Sequence, residues 1–207
     1  MMSQKIKLAI LISNVGTGTN LKAIIDGIAD GKIKAEICAV ISDKENAPGL
    51  EHARKNNLKI EICPKKENLL PLLQKLNPKK ALMYICLTGW KQIILDEAID
   101  AFLNRIINTH PGLIPDTMNG IVKNPDGSDA LWNKGMLANK AIQNFFDNQA
   151  TYAGCTNHFL SHEFDFGEVL GRCFEKIKPG DTVESLYQRL KKKENKLYVE
   201  VLEKLTK

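Results

Sequence analysis

Asn108 and His110 stand one residue apart in the run Ile106-Ile107-Asn108-Thr109-His110-Pro111-Gly112-Leu113-Ile114-Pro115. In an extended segment alternate side chains share a face, so this amide and this imidazole would point the same way. Pro111 and Pro115 stiffen the exit from the segment, limiting backbone freedom where chemistry needs fixed geometry. Both side chains offer N–H donors of the kind that stabilise an oxyanion as its charge develops. A histidine following a strand also serves as a satisfied structural residue, and that alternative stays open from these residues alone.

A second constellation is Gly16-Thr17-Gly18-Thr19-Asn20, lying between an apolar run and a helical pattern. Small residues there let backbone amides approach an anion, and a helix N-terminus adds partial positive charge, so a phosphate group would fit. The loop is not a dinucleotide fingerprint, because Leu21 falls where a third glycine belongs, and not a Walker loop, because Lys22 lacks the Gly-Lys-Ser/Thr context. The plainer alternative is a tight turn in which Thr19 or Asn20 caps a helix. His158 and His162 look like a zinc pair, but on a strand they would lie about 13 Å apart at about 3.3 Å per residue, too far to share a metal.

The elements that must position these residues follow from periodicity. Apolar runs at Lys7–Ser13, Ala35–Ser42, Lys59–Cys63, Ala81–Leu87 and Arg105–Asn108 read as strands. Helical spacing begins at Leu21 and recurs over Pro48–Asn56, Glu67–Leu76 and Ile93–Leu103. Alternation of this kind predicts an α/β fold, a Rossmann-like, mostly parallel twisted sheet with helices on both faces. Ligands then gather beyond the carboxyl ends of the strands, at the loops after Ile12, Leu87 and Ile107. Past Pro115 the pattern changes: Asn124-Pro125-Asp126-Gly127 is a turn signal. Leu137–Phe146 reads as a helix, Thr156–Ser161 and Val169–Ile177 as strands, and Thr182–Leu205 as a long C-terminal helix capped by Asp181 or Thr182.

The ordered motifs Asn108-x-His110-Pro111, His158-Phe159 and Asp165-x-Gly167 resemble the formyltransferase family, in its branch that serves purine synthesis. The likeness includes Ser13, Gly18-Thr19-Asn20-Leu21, Ser42-Asp43-Lys44, Gly49-Leu50 and Gly89-Trp90, and runs from about Lys7 into the C-terminal helix. It implies a catalytic trio of Asn108, His110 and Asp165, the carboxylate favouring the imidazolium and orienting its ring. It further implies that Gly18, Thr19 and Asn20 hold the substrate phosphate and that Glu194 holds the rest of a ribonucleotide substrate. Gly89, Trp90, Lys91, Gln92, Ile93 and Ile94, with the stretch before Asp165, would wall a folate pocket. The implied donor is 10-formyltetrahydrofolate, with no metal, and the implied reaction is attack of a substrate amine on the formyl carbon. Residues 116–153 exceed the family's usual spacing and read as an insertion within a single domain spanning 1–207. The first loop also reads as about two residues longer than the family's, at Asn14 and Val15.

Composition narrows the remaining classes. The 207 residues suit one sizeable α/β domain. Formal charge is +5, but the basic residues are dispersed without interleaved aromatics, which argues against nucleic acid. Lys191-Lys192-Lys193 falls on a helical pattern, where a solvated face is expected. No apolar run approaches the length of a membrane span, and no signal-peptide pattern opens the chain, so cytoplasmic residence without membrane contact is expected. Five cysteines lie scattered without CxxC spacing and read as reduced core residues. Small-molecule substrates and a monomer or homodimer are expected. Two alternatives remain: a folate-dependent formyltransferase with a sugar-nucleotide amine as acceptor, and a noncatalytic nucleotide-binding module.

Overall fold

The computed structural model describes residues 5–13 and 16–207; Met1–Gln4 and the extra loop residues Asn14 and Val15 lie outside the described residues. The apolar runs fold into β1 (Ile6–Ile12), β2 (Ala35–Ser42), β3 (Ile60–Ile62), β4 (Met83–Leu87) and β5 (Ile106–His110). Between them lie α1 (Thr19–Ala29), α2 (Leu50–Lys55), α3 (Leu70–Leu76) and α4 (Asp96–Ala101). The chain continues through α5 (Ala138–Asp147), β6 (Tyr152–Phe159), β7 (Val169–Lys176) and α6 (Val183–Leu205). Among the described residues the sheet has seven strands in the order β3-β2-β1-β4-β5-β6-β7. The first five pair in parallel, while β6 and β7 add antiparallel.

The unbroken apolar run Leu8–Ile12 of β1 reflects burial on both faces, as parallel sheets require. Leu8, Ile10 and Ile12 pack with Leu21, Ile24, Leu50, Tyr198 and Leu202 under α1, α2 and α6. The alternate residues Ala9 and Leu11 pack with Leu73, Met83, Ile85 and Ile99 on the opposite face. Burying each such Leu or Ile contributes about 1.5–3 kcal/mol. Truncating Leu11 to alanine should therefore cost about 2–5 kcal/mol, cavity included.

Several elements differ from the sequence reading in their bounds, α3 for one starting at Leu70 rather than Glu67, and two of the differences bear on the site. The α4 helix starts at Asp96 rather than at Ile93, because Ile93 is 83% exposed and Leu95 stays extended as the N-cap. Strand β6 begins four residues earlier than its β-branched content indicates. Its Gly154 has no side chain to contribute, and a Cβ there would overlap Leu113 and the Cys173 carbonyl. That glycine weakens the strand signal in sequence while permitting the close approach in three dimensions.

Helix α6 ties the sheet to the site. Its start is fixed by a capping box between Thr182 and Ser185. Further along, buried Tyr198 donates its hydroxyl to the carbonyl of Ile107 at 3.2 Å, one residue before Asn108. Among the described residues no helix is long and apolar enough to cross a membrane. Nor does any group of three or more His, Cys, Asp or Glu among them stand where it could hold a metal ion.

Candidate active site

At the end of β1 the chain enters α1 through Gly18, whose φ of 75° is a left-handed conformation that glycine adopts without strain. A Cβ there would lie 2.8 Å from the Cα of Gly49, so the loops after β1 and β2 touch backbone to backbone. Gly18 occupies the N-cap position, and no side chain caps the helix. Asn20 instead reaches away from α1 and donates Nδ2 to Glu194 Oε1 at 2.6 Å. Glu194 Oε1 also meets Lys191 Nζ at 2.5 Å. The structure thus joins the two regions assigned to the ribonucleotide substrate. It also corrects the reading of Lys191: its side chain is only 23% exposed and turned toward Glu194. Burial alone would lower the Lys191 pKa, but the Glu194 carboxylate outweighs it and the net shift is upward. Thr19 Oγ1 and Asn20 Oδ1 are buried and have no hydrogen-bond partner among the described residues.

The second cluster lies at the end of β5. The register sets His158 of β6 directly opposite Asn108, and Asn108 Nδ2 is 3.2 Å from His158 Nε2. His158 Nδ1 lies 2.9 Å from the carbonyl of Phe159, which only accepts. Nδ1 therefore carries the proton and Nε2 accepts from Asn108. Burial, followed by the neighbouring His110, pushes the His158 imidazole down to about 4, consistent with this neutral form. One N–H of the Asn108 amide is used in this way, and the other remains.

His110 shares the Asn108 face of β5 and is 2% exposed. Its Nε2 donates to the backbone carbonyl of Trp132 at 2.7 Å, and its Nδ1 lies 3.6 Å from Asp165 Oδ1. The other Asp165 oxygen, Oδ2, accepts from the Gly135 amide at 2.7 Å. Trp132 Nε1 donates to the Asp165 carbonyl at 3.1 Å. Asp165 itself adopts φ 49°, a conformation aspartate tolerates better than most side chains. Burial would raise its carboxyl, but the His110 contact and the Gly135 amide outweigh this and hold it below the usual value. The trio therefore does converge, with residues 132–135 laid over it.

Asn108 and Asp165 open onto a cleft of about 330 Å³. Trp90, Lys91, Gln92, Ile93 and Ile94 form one side, and the 160–165 segment forms another. Gly89, at φ 103°, turns the chain into this wall but is not among the residues lining it. Trp90 Nε1 and Gln92 Nε2 are buried donors without partners among the described residues, unusual in a folded protein unless a ligand satisfies them. Mixed apolar walls with a few converging polar groups suit a flat organic molecule. Trp132 lies outside the cleft and packs on Phe166. His162 leaves β6 for the loop, where it lines the cleft and pairs with Asp96 and Asp100 of α4. Sequence reasoning missed His158 and the 132–135 segment as parts of the site.

The site is thus an amide, an imidazole and a carboxylate held at one end of an α/β sheet beside a cleft. The sequence matches the family described as formyl transferase over residues 6–202, and the chain belongs to that family. It is 31% identical over 202 residues to the chloroplastic phosphoribosylglycinamide formyltransferase of Arabidopsis thaliana, covering 95% of this chain and 64% of that protein. It is 28% identical over 206 residues to the trifunctional purine biosynthetic protein adenosine-3 of Gallus gallus, covering 97% of this chain and 18% of that one. The chain spans less than two thirds of the length of these curated relatives. Among solved structures, glycinamide ribonucleotide transformylase 1 from Symbiobacterium toebii is similar with TM-score 0.78 and 28% identity, over 96% of this chain and 86% of that one. Phosphoribosylglycinamide formyltransferase from Brucella melitensis is similar with TM-score 0.77 and 28% identity, over 98% and 96% of the two chains.

Proposed function

We propose that this chain transfers the formyl group of 10-formyltetrahydrofolate to the amine of glycinamide ribonucleotide in de novo purine biosynthesis. The observation that carries the reading is the meeting of Asn108, His110 and Asp165 at the edge of one cleft. The activities for which the similar proteins are named agree with it. In this reading the folate lies in the cleft against Trp90–Ile94, where the unpartnered donors of Trp90 and Gln92 meet its polar edge. The ribonucleotide phosphate rests on Gly18, Thr19 and Asn20, and Glu194 faces its polar body. The chain acts on small molecules in the cytoplasm, and residues 116–153 belong to the same unit because they supply Trp132 and Gly135.

The substrate amine attacks the formyl carbon, giving a tetrahedral oxyanion, and the bond to the folate nitrogen then breaks. The remaining N–H of Asn108 donates to the oxyanion. Both His110 nitrogens face protein acceptors, so its part is to hold Asp165 rather than to touch the oxyanion. Asp165 takes the proton that the attacking amine loses, directly or through a water, and returns one to the departing folate nitrogen. Incubation with 10-formyltetrahydrofolate should release tetrahydrofolate only when glycinamide ribonucleotide is added. Release without the ribonucleotide would mark a hydrolase, and none in either case would overturn the reading. Turnover with a sugar-nucleotide amine in place of glycinamide ribonucleotide would favour the other acceptor class.

A further inference from the structure

Beneath α6 two cysteines stand side by side. Cys155 on β6 and Cys173 on β7 are direct partners in the antiparallel register, with their sulfurs 3.1 Å apart. The other three are engaged separately. Cys38 donates to the Leu8 carbonyl and Cys63 to that of Glu67. Cys86 is fully buried and pushed by burial up to about 12.

We infer that Cys155 and Cys173 form a reversible dithiol–disulfide site that staples β6 to β7 when a low-molecular-weight disulfide oxidises it. Directly opposed antiparallel residues have Cα atoms about 4.5–5.5 Å apart, inside the roughly 4.4–6.8 Å span that a disulfide bridges. Their Cβ atoms lie about 4.5–5.5 Å apart, somewhat wider than the roughly 3.5–4.5 Å that a relaxed disulfide prefers. With the sulfurs already 3.1 Å apart, the bond forms with little backbone movement, and a thiol reductant reverses it by the same exchange. Access comes from the sheet edge: β7 is the terminal strand, and Cys173 is half-buried while Cys155 is sealed against Leu197 and Val201 of α6.

The order of events follows from that asymmetry. Cys173 loses its proton and attacks one sulfur of the small disulfide, whose S–S bond breaks and whose other half leaves as a thiol. Cys155 then loses its proton and attacks Cys173 Sγ, releasing the second small thiol. The protein gives up two protons and two electrons, and the small disulfide takes up both to become two thiols. The Cys173 contact and burial hold the Cys155 thiol above its ordinary value, so the second step should quicken as pH rises.

The test needs no turnover and is independent of the activity proposed above. The native protein is incubated with oxidised glutathione, excess thiols are blocked, and the cysteines are counted and mapped by mass spectrometry. Circular dichroism on the same sample verifies that the chain is folded. The expected result is loss of two of the five thiols, one Cys155–Cys173 peptide link, and full recovery with dithiothreitol. Cys173→Ser should keep all four of its thiols under the same treatment. Retention of all five in the native protein, a lone glutathione adduct on Cys173, or a link to another cysteine would each overturn the inference.

Discussion

Trp132 lies over His110, its backbone carbonyl accepting from Nε2 at 2.7 Å across 22 positions of chain. The approach depends on Gly112, where a Cβ would overlap that same carbonyl. Gly112→Ala should displace the 132–135 segment, costing about 1–3 kcal/mol as an overpacked site does. It should also lower kcat by at least about tenfold, because Asp165 loses the amide of Gly135. Urea unfolding and steady-state kinetics measure the two effects. Wild-type values for both would show that the segment has no part in holding the trio.

Asn108→Ala and Asp165→Asn test the chemistry itself. Loss of a donor aimed at a developing oxyanion typically costs about 10²–10³-fold in kcat, the range expected of Asn108→Ala, and loss of a proton-transfer group about 10²–10⁴-fold, the range expected of Asp165→Asn. Because Asn108 sits at the sheet end and Asp165 in a loop, circular dichroism should show an unchanged fold. Near-normal kcat in both would remove the catalytic assignment.

The buried, neutral His158 makes stability pH-dependent. Its folded pKa of about 4 lies below the ordinary 6.5, so between these values the unfolded chain binds a proton that the folded chain does not. Stability should therefore rise with pH through that window, by on the order of 3 kcal/mol from this group. The contribution is complete above about pH 6.5. Unfolding free energies of the wild type and His158→Gln across pH 4–7 isolate it as the difference in slope. Parallel curves would mean that His158 titrates normally in the folded protein.

Glu194→Gln separates acceptor binding from chemistry. A hydrogen bond to a charged group contributes about 1.5–3 kcal/mol, so KM for the ribonucleotide should rise roughly tenfold or more. A contact equally strong in ground and transition states leaves kcat nearly unchanged. KM for the folate should also stay put. A large fall in kcat with constant KM would move Glu194 from binding to catalysis.

Much of the sheet was legible in the sequence because strands buried on both faces must be continuously apolar. Ala35–Ser42 folds over the range its pattern predicts. The period of two also placed Asn108 and His110 on one side of β5. Spacing says nothing, by contrast, about contacts created by an antiparallel register. His158 meets Asn108 across 50 positions, and Cys155 meets Cys173 because two strands lie side by side. Asp165 came from resemblance rather than periodicity, since it belongs to a loop at positive φ. Lys191 was misread because three consecutive lysines suggest a uniformly wet face. A helix turns each of them in a different direction, and only Lys191 points at Glu194.

Helix α6 carries Glu194 and, one turn later, Tyr198, whose hydroxyl grips the backbone just before Asn108. In the reaction proposed above, acceptor binding and oxyanion stabilisation are thus mounted on a common beam. A tilt of that beam made to seat a bulkier acceptor would also drag the Asn108 amide out of line. Redesign for a new acceptor would therefore succeed more readily by recarving the glycine turn after β1 than by remodelling the helix.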